Sequence, residues 1–381
     1  MSRTLRTADF DYEAPSTAIA QRPLPDRAAS RLLVLERHSG RILHRTFRDF
    51  PSLIEPGDVL VVNASRVIPA RLTGQRENGR PAEILLVHRE PDGSWVTMVH
   101  PGGKLKAGRR VRFGTADPRS GTAAELAEVE IVEVLGGGLR RVRFHGMDAR
   151  EVMTRWGAVP LPPYIHRAPE PADRDRYQTV YATTDGSVAA PTAGLQFTPE
   201  ILDAVRGRGA TVAEMVLHVG PGTFKPVETD DPGEHVMHAE WYDFSAETAD
   251  AVNGARAAGG RVWAVGTTAA RVLETVAAYA APAVSVVSAV PAFSASSAVP
   301  PVFAASGEVV RAGTGWTDLF IRPPYTFRAI DALLTNFHLP RSTLLMLVAA
   351  FAGYEPTMAA YREAVAQGYR LYSYGDVMTV V

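Results

Sequence analysis

The chain has 381 residues, 46% of them hydrophobic and 21% charged, which is enough apolar material for two folded domains and argues against a disordered protein. Its formal net charge of −1 provides no overall basic field, so any contact with nucleic acid must depend on a local patch. The absence of cysteine excludes disulfides, thiolate nucleophiles and cysteine-ligated zinc.

The first twelve residues carry several charges and no apolar run, so they lack the pattern of a secretory signal. Elsewhere, only residues 276–307 are free of charge over a length that could cross a membrane. Pro282, Pro291, Pro300 and Pro301 interrupt that segment, and a helix there could not satisfy its backbone in lipid. We therefore expect a cytoplasmic protein with no membrane contact.

A small β domain is predicted between residues 71 and 145. Short strand-like runs follow one another there, separated by glycine- and proline-rich turns at residues 91–93, 101–103 and 136–138. On either side, strands alternate with helices, as in an α/β domain. The expected fold is therefore a larger α/β domain, residues 1–70 and 146–381, into which a small β-barrel-like domain is inserted.

The α/β pattern is clearest in the second half. Thr198, Pro199 and Glu200 read as the start of a helix that ends at Gly209. The order that follows is a strand at 211–217, a helix at 246–258, a strand at 261–265, a helix through residue 274, strands at 317–322 and 330–334, and a helix at 341–352. Residues 276–312, rich in Ala, Val, Ser and Pro, are expected to be a low-complexity insert without a role in catalysis.

Four loops fall where strands of this pattern end, and ligands of α/β domains bind at that edge. They are residues 187–197, 218–224, 266–271 and 334–343. The first is rich in small residues, the second begins with His218, the third offers hydroxyls with a cation, and the fourth crowds polar groups. The first also has an ordinary structural interpretation as a tight turn, and the histidine of the second as a satisfied structural residue.

Residues 234–241 contain two histidines and two carboxylates, which are common metal ligands. Their spacing matches no strong metal motif, and Pro232 and Gly233 argue against a regular helix there. Hydrogen bonds to a substrate are the preferred interpretation, and no metal is expected.

Taken in order, these segments resemble a known family, the S-adenosylmethionine:tRNA ribosyltransferase-isomerases of queuosine biosynthesis. The resemblance covers nearly the whole chain except the insert. Its motifs include Pro160-Leu161-Pro162-Pro163-Tyr164-Ile165, Asp175-Arg176-Tyr177-Gln178, Ala190-Pro191-Thr192-Ala193-Gly194-Leu195, Leu217-His218-Val219-Gly220, Met237-His238-Ala239-Glu240, Thr317-Asp318-Leu319-Phe320-Ile321 and Tyr374-Gly375-Asp376.

The resemblance implies a specific reaction. The family transfers the ribosyl group of S-adenosylmethionine to 7-aminomethyl-7-deazaguanine at the tRNA wobble position and isomerises it to an epoxycyclopentanediol, while adenine and methionine leave. Such a site needs a base near the carbon beside the sulfonium, and it needs water to be excluded. The candidates for the base on matching motifs are His218, His238, Glu240 and Asp318, with a preference for His218.

Two further sets of residues are expected to bind the substrates. Those expected to bind S-adenosylmethionine are Thr192, Gly194, Gln196, Phe197, Gly220, Thr223, Thr267, Thr268 and Arg271. Those expected to bind the anticodon arm of tRNA are Arg176, Tyr177, Gln178, Asn336, His338, Arg341, Arg66, Arg71 and Lys104, with Lys106, Arg109 and Arg110 completing a basic patch whose phosphate binding should weaken with salt. No obligate protein partner is evident.

The chain departs from the family pattern at several positions. Gln196 stands where the family's histidine is expected, and glutamine cannot take up a proton at neutral pH. Ala64-Ser65 replaces Asp-Thr, Ala269-Ala270 replaces Ser-Val, His100 replaces an arginine and Pro221 a leucine. Two alternatives therefore stay open: a paralogue that uses S-adenosylmethionine on a different small molecule, and a non-catalytic RNA-binding descendant.

Overall fold

The structure is a computed structural model that describes residues 4–114, 126–220, 222, 226–280 and 308–381. Its strands are β1 Arg31–Leu35, β2 Ile42–Thr46, β3 Val59–Asn63, β4 Ser65–Val67, β5 Arg71–Arg76, β6 Pro81–Arg89, β7 Trp95–His100, β8 Arg110–Phe113, β9 Ala127–Gly136, β10 Leu139–His145, β11 Gly157–Ala158, β12 Thr184–Ser187, β13 Thr211–Leu217, β14 Glu240–Phe244, β15 Val262–Val265, β16 Gly313–Thr317, β17 Ala332–Asn336 and β18 Val377–Val380. Its helices are α1 Ala149–Trp156, α2 Asp173–Arg176, α3 Pro199–Gly207, α4 Ala246–Ala257, α5 Thr267–Ala280, α6 Thr343–Ala352 and α7 Tyr354–Ala366.

The chain divides into two compact units. Unit 1 comprises Met1–Ala64, Pro191–Leu217 and Lys225–Val381, and unit 2 comprises Ser65–Ala190 and His218–Phe224. The predicted fold class, α/β with an inserted β-barrel, is confirmed. The division by compactness places residues 146–190 with the barrel, whereas the sequence pattern groups them with the α/β domain.

Unit 1 is built on a nine-stranded sheet in the order β16-β14-β13-β3-β15-β17-β18-β1-β2. The four central strands, β13, β3, β15 and β17, run parallel to one another. Every residue of β3, β15 and β17 is buried, which is typical of parallel strands covered on both faces. Helices α4 and α5 pack against this central part, so the core of the unit lies between helices and sheet.

Helix starts in unit 1 follow local capping chemistry. Thr198 accepts a hydrogen bond from the amide of Ile201, and Pro199 occupies the first turn of α3, as predicted. Ser245 and Ser342 cap α4 and α6 in the same way. Among the described residues no single helix has the length and apolarity to cross a membrane, although the bent pair α6 and α7, at 117°, meets both criteria together.

Two predicted elements near the insert are wrong. The strand expected at residues 317–322 ends at Thr317, because β16 is formed by the preceding run Gly313–Thr317, whose glycines concealed it. The insert expected at residues 276–312 begins later, because residues 276–280 continue α5. Residues 281–307 lie outside the described part of the chain.

Unit 2 contains a closed barrel of six strands in the order β5-β6-β7-β10-β9-β8, closed by the pairing of β8 with β5. Its interior is apolar, with Leu72, Ile84 and Val129 fully buried, and Val152 of α1 packs against the same core. Gly74 permits closure, because a Cβ atom there would lie 2.6 Å from the carbonyl oxygen of Arg112.

At the amino ends of the central strands of unit 1, a buried aspartate carboxylate is hydrogen-bonded to two neighbouring side chains. Asp58 precedes β3 and accepts hydrogen bonds from the guanidinium of Arg261 at 2.7 Å and from the indole of Trp263 at 2.9 Å. Burial acts to raise the pKa of Asp58, but these bonds and two backbone amides outweigh it and hold the pKa below its usual range.

Replacing Asp58 with Asn should therefore destabilise unit 1 by about 1 to 3 kcal/mol, because a buried donor loses its charged acceptor. A lowered folded pKa means that the stabilisation is present above the ordinary carboxyl range and is lost as pH falls through the folded value. The loss of stability in Asp58→Asn relative to the unchanged protein, measured by thermal denaturation, should thus be largest at neutral pH. The control is Asp203→Asn, which removes a carboxylate exposed on α3; equal effects of the two changes would contradict the role of Asp58.

Candidate functional site

Three of the loops chosen from the sequence meet in unit 1. Thr192 donates a hydrogen bond of 2.7 Å to the side-chain oxygen of Asn336, which ends β17. The amide of Gly266 donates to the carbonyl of Leu334 at 2.8 Å. Gly266 has φ +91, and a Cβ atom there would lie 3.5 Å from Cβ of Ala193. The carboxyl ends of β15 and β17 and the turn Thr192–Gly194 therefore form one cluster, which we call the carboxyl-edge cluster.

The first turn of α5 contributes two hydroxyls to this cluster. Thr267 and Thr268 are largely buried, and Thr268 Oγ1 has no hydrogen-bond partner among the described residues. Amides at a helix N-terminus point outward along the axis and favour negative groups. The pair is therefore suited to bind a carboxylate or a polar ligand group.

Gln196 adds an open acceptor. Its side chain is 3% exposed, and Nε2 donates to the carbonyl of Gly375 at 3.0 Å. This bond fixes the orientation of the amide, since the opposite orientation would place two oxygens together. Oε1 then has no hydrogen-bond partner in the described part of the chain. A buried acceptor in that state is costly, and a donor on a ligand would relieve the cost.

Arg271 is predicted to bind S-adenosylmethionine and Glu240 to act in catalysis, but in the structure the two residues pair with each other. The two side chains form a buried ion pair between α5 and β14. Arg271 also donates to the carbonyls of Leu319 at 3.1 Å and Thr317 at 3.2 Å. Because these contacts use the guanidinium and hold β14 and β16 against α5, they favour a structural role for both residues.

His238 and Asp318 lie at the same end of the β14–β16 pair as this ion pair. Glu240 of β14 pairs with Thr317 of β16, so His238, which precedes β14, and Asp318, which follows β16, come from the same end of the two strands. The side chains of His238 and Asp318 are both exposed to solvent. The structure therefore places His238, Glu240 and Asp318 near one another, but only Glu240 is buried.

His338 follows β17 and is held on three sides. Its Nε2 is 2.6 Å from the hydroxyl of Thr335, its amide donates to the hydroxyl of Tyr361, and its carbonyl accepts from Tyr12. Burial lowers the pKa of His338 to about 3, so the ring is neutral at physiological pH. Arg341, three residues later, adopts φ +56 and pairs with Asp11 at 3.0 Å.

In unit 2, His218 is positioned by β4 and β12. Ser65 lies in β4, and its hydroxyl is 2.9 Å from Nδ1 of His218. Gly186 lies in β12 with φ +148, and a Cβ atom there would lie 2.5 Å from Cε1 of the imidazole. Burial lowers the pKa of His218 below its ordinary value, against a smaller opposing effect of Asp185. The imidazole is therefore neutral, oriented and half-buried.

Several residues predicted to bind RNA have structural contacts in unit 2. Gln178 exchanges two hydrogen bonds with the backbone of Val67, at 2.9 and 2.8 Å, and Tyr177 is fully buried. Arg176, beside them, is half-buried. Arg66 donates to the carbonyl of Ala182 at 2.8 Å. These contacts stabilise the segment around β12.

The basic patch predicted on the barrel is partly neutralised. Arg109 pairs with Glu77 at 3.0 Å and Arg110 with Glu128 at 3.0 Å, while Arg71 lies 3.7 Å from Glu83. Lys104 and Lys106 are exposed, and no ion pair joins them to a carboxylate within the described ranges. These two lysines are therefore the cations of the patch that remain available to a phosphate.

The other predicted cofactor-binding residues differ in their surroundings. Phe197 is fully buried with its ring centroid 4.9 Å from Phe47, so it belongs to the core of unit 1. Gly194 is buried in the turn of the carboxyl-edge cluster, and Gly220 lies in unit 2 after His218. Thr223 lies outside the described residues.

Sequence reasoning missed the partners that orient His218. From the sequence alone, Ser65 is only a departure from the family pattern, and Gly186 has no expected role. A glycine between Asp185 and Ser187 could have been found as a position that demands a close approach. Among the described residues, no group of three His, Asp or Glu side chains is arranged to hold a metal ion.

Comparison with known proteins gives consistent matches along the chain. The profile of a family described as "Queuosine biosynthesis protein" matches residues 7–380. Proteins named S-adenosylmethionine:tRNA ribosyltransferase-isomerase match at 47% identity in Symbiobacterium thermophilum and Moorella thermoacetica, each over 99% of this chain and 100% of the relative. The crystal structure of S-adenosylmethionine tRNA ribosyltransferase from Thermotoga maritima is 36% identical, with a TM-score of 0.51 over 98% of this chain and 100% of that chain.

Replacing Gly186 with Ala should displace the imidazole of His218, because the added Cβ atom has no room beside the ring. We expect the hydrogen bond to Ser65 to be lost and the pKa of His218 to rise towards its ordinary value as the ring becomes solvated. NMR titration of the histidine side chains would measure this. The control is Gly207→Ala, where no atom lies within 4 Å; an unchanged titration of His218 in the Gly186 variant would contradict the packing argument.

Proposed function

The chain belongs to the queuosine biosynthesis protein family, and we infer that it is an S-adenosylmethionine:tRNA ribosyltransferase-isomerase, the activity for which its relatives are named. The single observation that supports this most strongly is the match over 99% of this chain and 100% of those relatives. The alternative of a paralogue acting on a different small molecule is not favoured, because it would require a change of substrate within an otherwise continuous match.

We propose that the acceptor is 7-aminomethyl-7-deazaguanine at the wobble position of the tRNA anticodon arm. The ribosyl group of S-adenosylmethionine would be transferred to its aminomethyl nitrogen and rearranged to the epoxycyclopentanediol of epoxyqueuosine, with adenine and methionine as the leaving products. S-adenosylmethionine is thus a substrate, and no step of this scheme calls for a metal ion. We also propose a cytoplasmic location and activity without an obligate protein partner.

His218 is the proposed base. The proton to be removed lies on carbon beside a positively charged sulfur, so the base must be unprotonated and shielded from water. Partial burial of His218 shields its ring and lowers its pKa, which keeps it unprotonated at neutral pH, and Ser65 orients the ring. His238 and Asp318 are exposed and Glu240 is paired with Arg271, so none of the three offers the same combination.

Part of the recognition of S-adenosylmethionine is proposed for the carboxyl-edge cluster. Thr192, Thr267 and Thr268 provide hydroxyls, and Gln196 provides a buried acceptor that has no partner among the described residues. The amino acid carboxylate and the amino groups of S-adenosylmethionine have the matching chemistry. On the barrel, Lys104 and Lys106 are proposed to neutralise tRNA phosphates.

Replacing His218 with Gln should reduce tRNA-dependent adenine release by roughly a hundredfold to ten-thousandfold, the usual contribution of a general base. In the unchanged enzyme the pKa of His218 lies below its ordinary value, so the neutral base persists as pH falls. The acid limb of the kcat/KM profile should therefore lie below about pH 6.5, and it should disappear in the variant.

The matched control for this change is His38→Gln, which replaces an exposed histidine of unit 1. Normal activity of the His218 variant would remove the residue from the mechanism. Loss of activity with an unaltered pH profile would indicate a structural role instead.

Gln196→His tests whether the family's histidine at this position carries a proton. Histidine can donate to Gly375 through one ring nitrogen, as the amide does now. We therefore expect turnover to change by no more than roughly fivefold, which corresponds to the energy of one altered hydrogen bond, about 1 kcal/mol. Gln367→His, on an exposed position, is the control. A gain of about a hundredfold would show that a proton carrier has been lost in this chain, and the paralogue would then be favoured.

A further inference from the structure

A concave site lies at the other end of the unit 1 strands, away from the carboxyl-edge cluster. It has a volume of about 740 Å³ and is lined by residues that include Arg37, Arg256, Arg328 and Asp331. Asp331 directly precedes β17, and Arg37 follows β1. Because β1 is parallel to β18 and β18 is antiparallel to β17, the end of β1 and the start of β17 share one edge. The pocket is therefore separated from the carboxyl-edge cluster by the length of the strands.

The charge in this pocket is unbalanced. Asp331 pairs with Arg256 at 2.8 Å, and its second oxygen accepts the amide of Val262 at 2.8 Å. Arg37 and Arg328 form no ion pair with a carboxylate within the ranges that the structure describes. Nε of Arg256 is buried and has no acceptor there. Two unneutralised guanidinium groups and one open donor therefore line a single cavity.

The pocket is also held in shape. The guanidinium of Arg37 lies 4.6 Å from the ring centroid of Phe351, and that buried ring packs edge-to-face against Phe327 at 4.9 Å. The amide of Arg328 donates to the buried carboxylate of Glu274 at 3.0 Å, and the hydroxyl of Tyr325 donates to the same group at 3.2 Å. Backbone and rings are thus fixed before any ligand binds, which lowers the entropic cost of binding.

We propose that this pocket binds the phosphate group of a nucleotide. Guanidinium groups bind phosphate oxygens through paired, charge-assisted hydrogen bonds. Tyr325 and Phe327 line the same pocket and offer rings against which a base can stack. The nucleotide is either free or part of an RNA chain, since both present the same chemistry. The proposal does not depend on the reaction at the opposite edge.

The test compares Arg37→Gln/Arg328→Gln with Arg206→Gln/Arg362→Gln, a control pair that removes the same charge from exposed positions of unit 1 on α3 and α7. ADP binding is measured by calorimetry, and tRNA binding is measured as a function of salt. The tRNA-dependent release of adenine from S-adenosylmethionine is measured separately, so a failure of the proposed reaction is distinguishable. Thermal denaturation verifies that both double variants are folded.

For a free nucleotide, we expect the pocket variant to bind ADP at least about tenfold more weakly than the control does. If the pocket instead binds a nucleotide within RNA, the unchanged protein and both variants should bind ADP weakly. In the pocket variant, the slope of log tRNA affinity against log salt concentration should then decrease by about one unit for each lost phosphate contact. Equal behaviour of the two double variants in both assays would overturn the proposal.

Discussion

The parallel direction of β13, β3, β15 and β17 is the constraint on which the rest of unit 1 depends. Parallel strands must return through crossovers, so their polar loops collect at one edge while both faces are covered by helices. β3, β15 and β17 are buried along their whole length, so ligands can reach them only at their ends. Thr192, Thr267 and Asn336 meet for that reason, although they are far apart in the sequence.

Local signals therefore sufficed for much of the fold. Capping residues located α3, glycine- and proline-rich turns separated the barrel strands, and a buried apolar run located β15. The strand Gly313–Thr317 could not be found in this way, because its two glycines interrupt the strand-favouring Thr and Trp residues. Its position is decided by pairing with β14, which is a contact between distant parts of the chain.

The candidate site was predictable in its loops but not in its roles. Polar residues at strand ends identified segments that the structure brings together in unit 1, whereas the pairing of Arg271 with Glu240 depends on how α5 packs against β14. The same holds for Gln178, whose side chain completes the hydrogen bonds of Val67, and for Phe197, which fills the core. Residue type alone cannot distinguish a ligand contact from an internal partner, because both need the same chemical group.

Hydrogen-bond satisfaction provides that distinction. Asp58 and Arg271 are buried charges whose described partners lie within unit 1, and Glu240 is paired with Arg271, which favours a structural role for all three. Open hydroxyls also occur elsewhere, as at Thr179, so a single one has no functional meaning. Thr268 and Gln196 differ in that their side-chain oxygens, which have no partner within the described part of the chain, belong to the carboxyl-edge cluster, where ligands of parallel sheets bind. A buried acceptor retained at that edge is costly to an empty protein, and a bound substrate that donates to it would offset the cost.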